Sequence, residues 1–222
     1  MISQLSTIDI GELLGRPVQN RGIFDTLLYV NAPLERLITV AVDQHGLFTV
    51  EQALGVGVGA DQVRRMAAKG VLVRRSQGLY RIASLPFGHY AEFMEAVLWA
   101  KGRGVVCGES ALLLWELADV NPRKIHLALP SSYRPRRRGG ELYVIHTVSL
   151  RDQDVDEVRD VPVVAPSVAI SEAIDWGVPG DLVAQALHRG FAREYIGAST
   201  ADRLSEALHR RSAGANVPGD VA

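Results

Sequence analysis

From Pro33 onward, apolar residues recur three and four positions apart. Leu34, Leu37, Ile38, Ala41 and Val42 therefore fall on one side of a helix. Asn31 can cap that helix, Pro33 suits its first turn and Gly46 ends it. Thr49-Val50-Glu51-Gln52 has capping-box spacing, in which the hydroxyl takes the amide of Gln52 and the Gln side chain reaches back. The helix it opens is short, because Gly55, Gly57 and Gly59 follow soon after Leu54. A third helical stretch runs from Asp61 to Lys69, with Val63, Met66 and Ala67 inward and Gln62, Arg64, Arg65 and Lys69 outward. Two runs of strand formers follow, 71–75 and 79–82, joined by Ser76-Gln77-Gly78 as a three-residue connection with Gly where a positive φ is wanted.

Helix, short helix, helix and β-hairpin within one short segment is the order of a winged helix-turn-helix. Its first two helices build a small core, and the third is held outward to enter a major groove. The hairpin is the wing that reaches flanking phosphates or the minor groove. Three-helix units with a hairpin also serve purely as protein-contact modules, so the charge pattern has to separate the two.

Beyond Ser84-Leu85-Pro86-Phe87-Gly88, which reads as a linker, a second unit begins near His89. Tyr90, Phe93, Met94, Val97 and Leu98 trace one face of a helix, and Val105-Val106-Cys107 forms a short buried strand. Another helix spans Ala111 to Leu117, with Ser110 as its cap. Strands are predicted at 125–129, 142–147 and 161–164, and helices from Pro166 to Trp176, Asp181 to Arg189 and Ala201 to Arg211. The predicted fold class is α+β: an amino-terminal winged helix-turn-helix over 33–86 and a mixed α/β domain over 87–212, flanked by an arm (1–32) and a flexible tail (213–222).

Composition narrows the picture. With 222 residues, 47% hydrophobic and 22% charged, the chain is long and apolar enough to fold around its own cores. No apolar run approaches the ~18 residues of a membrane span, and no signal peptide opens the chain, which points to the cytoplasm and away from membranes. The single cysteine, Cys107, reads as a buried small residue. Net charge is only −1, but it is segregated. Between His45 and Ile82 stand six cations (Arg64, Arg65, Lys69, Arg74, Arg75, Arg81) against two acids (Glu51, Asp61). A second cluster, Arg134, Arg136, Arg137 and Arg138, lies in a Pro- and Gly-rich loop, while acids concentrate at Asp152, Asp154, Asp156, Glu157 and Asp160. Both elements of the winged unit that would meet a duplex carry the cations, which favours double-stranded DNA as the partner.

Motifs for catalysis are missing. The sequence has no phosphate-binding Gly-rich loop, no His-Glu-x-x-His and no acid two residues before any of its lysines, Lys69, Lys101 and Lys124. Its six histidines show no ligand spacing, and each reads as a surface or structural residue. No enzyme activity, metal or cofactor is expected.

The run Arg74-Arg75-Ser76-Gln77-Gly78-Leu79-Tyr80-Arg81, then Gly108-Glu109-Ser110-Ala111-Leu112, Leu117-Ala118-Asp119-Val120-Asn121-Pro122 and Ile125-His126-Leu127-Ala128-Leu129-Pro130, resembles the AbiEi-type antitoxins of type IV toxin–antitoxin systems, most of all their mycobacterial members. The resemblance implies an autoregulatory repressor that binds inverted repeats in its operator. It also implies an antitoxin that counteracts a co-encoded nucleotidyltransferase-like toxin without requiring a stable complex. Many relatives carry an Arg-Thr-Leu-x-Asp run after the late strand, where this chain has Ser167-Val168-Ala169-Ile170-Ser171-Glu172-Ala173-Ile174-Asp175. The alternative is a winged-helix regulator that senses a small effector and has no toxin. Gln62, Arg64 and Arg65 are the candidates for base edges, and Lys69, Arg74, Arg75, Ser76, Gln77 and Arg81 for phosphate or wing contacts. The loop with Arg134, Arg136, Arg137 and Arg138 is either a second nucleic-acid or antitoxic patch or a plain exposed loop.

Overall fold

The computed structural model describes residues 32–135 and 139–214; the amino-terminal arm up to residue 31, Arg136 to Arg138 and the tail from residue 215 lie outside the described residues. The fold is α+β, as the sequence predicts. Helix α1 occupies 32–41 and passes through a 3-10 turn, Val42–Gln44, into strand β1 (Leu47–Thr49). Helices α2 (Val50–Gly55) and α3 (Ala60–Ala68) follow, then strands β2 (Leu72–Ser76) and β3 (Leu79–Ile82). The capping box at Thr49 forms: its Oγ1 accepts from the Gln52 amide at 3.2 Å, and Gln52 Oε1 accepts from the Thr49 amide at 2.9 Å.

Two details depart from the sequence reading. Strand β1 was not predicted; three residues are too few to show a period, and pairing with β3 makes them a strand. The hairpin closes through two residues rather than three, because Ser76 pairs with Leu79. Only Gln77 and Gly78 remain in the turn, with Gly78 at φ 75 supplying the left-handed backbone. The extra residue is absorbed by a register shift between Arg74 and Ser76, so Arg75 sits on a bulge.

The three-stranded sheet, in the order β1-β3-β2, uses both faces. Phe48, Tyr80 and Ile82 pack with Leu37, Ala41, Val58 and Val63 in the core under α1–α3. Their neighbours Leu47 and Leu79, pointing the opposite way by strand alternation, belong to the core of the second unit.

That second core surrounds a five-stranded mixed sheet in the order β6-β5-β4-β8-β7. Its strands are β4 (Val105–Val106), β5 (Ile125–Leu129), β6 (Tyr143–Thr147), β7 (Val155–Val158) and β8 (Val161–Val164). Its helices are α4 (Ala91–Trp99), α5 (Gly108–Leu114), α6 (Pro166–Asp175), α7 (Gly180–Ala192) and α8 (Ala198–Gly214). Helix α4 is not one-faced: Ala91, Phe93, Met94, Ala96, Val97, Leu98 and Trp99 are all buried, because it is enclosed between the winged sheet and the larger one. Strand β7 was hidden in the acidic segment, whose Asp156 and Glu157 stay exposed while Val155 and Val158 are half-buried. Ser110 is not the cap of α5. Cys107 holds that position, and Ser110 is a buried residue of the first turn whose Oγ accepts from the His126 amide at 3.0 Å. Ala213, expected in the tail, is part of α8.

Candidate nucleic-acid interface

Helix α3 docks through Val63, which is fully buried, with Met66 and Ala67 half-buried beside it. One apolar residue per turn fixes the helix against α1 and α2 and leaves the rest of its circumference free. Arg64, Arg65 and Lys69 are exposed, and Gln62 is half-buried. Arg64 meets Asp61 one turn back at 2.6 Å, with side chains 66% and 79% exposed. Such an exposed i,i+3 pair is held by only a few tenths of a kcal/mol, so the guanidinium stays available to an incoming anion.

On the hairpin the six-cation segment divides. Arg74 is exposed and donates from Nε to the Ser76 carbonyl at a long 3.4 Å. Gln77 is exposed at the turn. The Ser76 hydroxyl, by contrast, is buried and has no hydrogen-bond partner among the described residues. Arg75 donates from Nε to Glu95 of α4 at 2.9 Å and lies 4.8 Å over the Phe87 ring. Arg81 donates to the Leu85 carbonyl at 2.9 Å and lies 5.5 Å from the same ring. Arg75 and Arg81 thus stand at the seam between the winged unit and the second unit. Glu95 and Phe87 were not singled out from the sequence; no local pattern marks a carboxylate twenty residues downstream as the partner of a wing arginine.

Beside the hairpin turn, a cleft of about 410 Å³ runs between Thr49–Gln52 and Gly78 on one side and Leu98, Lys101, Gly102 and Arg103 on the other. Lys101 and Arg103, neither of them a site candidate from the sequence, adjoin the wing tip. Arg103 lies 4.8 Å over Tyr133, in the same loop as the exposed Arg134; Arg136, Arg137 and Arg138 lie outside the described residues.

Several titratable groups of the second unit are turned inward. The histidines are not all dispersed: His146 Nε2 lies 3.3 Å from His126 Nδ1, and the His146 ring stacks on Trp176 at 3.8 Å. Burial holds both imidazoles below the usual histidine range, and His126 lowers His146 further. Gly108, at φ 54, runs directly beneath; a Cβ there would come within 2.6 Å of Trp176. The Gly108 amide donates to the buried Glu172 carboxylate at 2.9 Å, yet burial outweighs that bond and pushes the carboxyl up to about 7. Burial likewise pushes the Cys107 thiol far up, which removes the reactive thiolate. Among the described residues no three His, Cys, Asp or Glu side chains converge to hold a metal ion, and no helix is long and apolar enough to cross a membrane.

Residues 35–83 match the family model described as "Transcriptional regulator, AbiEi antitoxin". Among solved structures, the chain is similar to the RV2827C protein from Mycobacterium tuberculosis, at 14% identity over 84% of this chain and 75% of that one, with a TM-score of 0.49. No curated protein matches the chain.

Proposed function

We propose that this chain, whose residues 35–83 match the AbiEi antitoxin family of transcriptional regulators, is a sequence-specific repressor of its own operon and the antitoxin of a co-encoded nucleotidyltransferase-like toxin. In this reading residues 33–86 are the DNA-binding domain and 87–212 carry the antitoxic function. The observation that carries the DNA reading is the outer face of the winged unit, where Arg64, Arg65, Lys69 and Arg74 are exposed and none has a buried ionic partner among the described residues. A convex helix with exposed guanidinium groups fits a major groove, where Arg reads guanine bidentately and Gln62 can read adenine. Lys69, Arg74 and Gln77 contact phosphates on either side. Lys101, Arg103 and Arg134 extend the cationic strip beyond the wing tip.

Two experiments test this reading. Footprinting of the purified chain on the DNA upstream of its own gene should protect an inverted repeat. Expression of the chain should restore growth to cells carrying the adjoining nucleotidyltransferase gene. A metabolic gene in that neighbourhood, with operator binding that responds to a metabolite, would instead favour the effector-sensing regulator.

A further inference from the structure

We propose that Glu95 is a positioning residue for the wing: it holds Arg75 against the second unit and so withholds one cation of the hairpin from DNA. The inference rests on the DNA-binding reading and specifies how the second unit tunes it. Three observations carry it. First, the adjacent arginines, with Arg75 at the register shift between Arg74 and Ser76, serve different surroundings: Arg74 is left in solvent while Arg75 reaches α4. Second, the bridge is partly covered. Arg75 and Glu95 are 36% and 14% exposed, and Phe87 lies against both Arg75 and Arg81. Taking Arg75 to a phosphate would leave the largely covered Glu95 carboxylate without the cation bonded to it, so the exchange is disfavoured.

Third, the bridge is backed by apolar packing. Leu47 and Leu79 on the inner side of the winged sheet are fully buried in the second core, so the hairpin cannot swing out to free Arg75 without exposing them. Tyr143 also faces the pair; burial and then Glu95 push it up to about 12, so it stays neutral, and among the described residues Arg75 is the cation bonded to Glu95. The wing is therefore presented to DNA in a pose that the second unit sets. A cleft of about 330 Å³ borders the pair, lined by Glu92, Arg123, Lys124 and Tyr143, and gives a released Arg75 room to move.

The test is the salt dependence of binding of the full chain to a random duplex, compared for wild type, R74Q, R75Q and E95Q. R74Q should flatten the slope of log affinity against log salt by about 0.9, the loss of one phosphate contact. R75Q should leave the slope unchanged. E95Q should steepen it by about 0.9 and tighten binding at low salt, because Arg75 is released. R75Q behaving like R74Q, with E95Q inert, would overturn the inference while leaving the DNA reading intact. Wild type failing to bind any duplex would remove that reading and the role of Glu95 with it. Should the single variants unfold, the reciprocal variant R75E/E95R provides the readout. It should recover the thermal midpoint that each single change lowers, and simple additivity of the two losses would contradict the bridge.

Discussion

The winged unit and the second unit place their ionisable groups in opposite ways. The winged unit keeps its core apolar, with Leu37, Phe48, Val63 and Ile82 fully buried, and sends Arg64, Arg65, Lys69 and Arg74 to the surface. The second unit draws ionisable groups inward: Glu172 is buried against the Gly108 amide, and His126 and His146 meet under Trp176. Surface charges answer to salt, and buried ones answer to pH. The difference teaches that an interface for a polyanion can be built from little more than a one-sided helix, whereas the larger sheet spends polar groups on fixing its own helices.

The largest expected effect concerns the sheet that both units share. Leu79→Ala removes a fully buried side chain whose pocket is in the second core, and should cost about 2–5 kcal/mol in urea unfolding. A cost near zero would mean that the units are merely adjacent. Next comes the pH response of the second unit. The carboxyl of Glu172 titrates near 7 in the folded chain and near 4.5 when unfolded, so the native state binds the extra proton between those values. Its contribution to stability is therefore present at acid pH and lost as pH rises through about 7. Glu172→Gln should gain on wild type by on the order of 2–3 kcal/mol between pH 5 and 8, measured as paired unfolding curves. The two histidines work the other way, since lowered values favour their neutral forms and stability falls once pH drops below the unfolded histidine value. A difference between the two proteins that does not change with pH would place Glu172 in solvent.

Smaller effects sharpen the winged side. Thr49→Ala should cost about 1 kcal/mol, the usual worth of an N-cap hydroxyl, without altering the salt dependence of DNA binding. Asp61→Ala should change stability by no more than a few tenths of a kcal/mol, because its pair with Arg64 is exposed, while modestly tightening DNA binding by removing a negative charge from the groove face. A larger stability loss would show that Arg64 is committed to the helix and not free for DNA.

What the sequence disclosed was local. The capping box at Thr49, the outward arc of α3 and the turn at Gly78 depend on residues within a few positions of one another, and all three could be read from the chain. What it concealed was set by partners far along the chain or by very short elements. Strand β1 exists only because β3 lies beside it, and the segment of β7 showed only its acids until β8 paired with it. The candidate interface was legible as a run of cations but not in its division: a carboxylate on α4 holds Arg75 inward while Arg74, one residue earlier, stays outside. The meeting of His126 and His146 likewise depends on the parallel register of β5 and β6, which no spacing in the sequence reveals.

The central claim is that the exposed arginines of α3 read a duplex. It is tested most directly by fluorescence anisotropy of the full chain on the duplex upstream of its own gene and on a scrambled duplex, for wild type and Arg65→Ala at a fixed salt concentration. Wild type should prefer its own sequence, and Arg65→Ala should lose about 1–3 kcal/mol on that sequence and much less on the scrambled one. Equal affinity of wild type for both duplexes, or an unchanged preference in the variant, would contradict it.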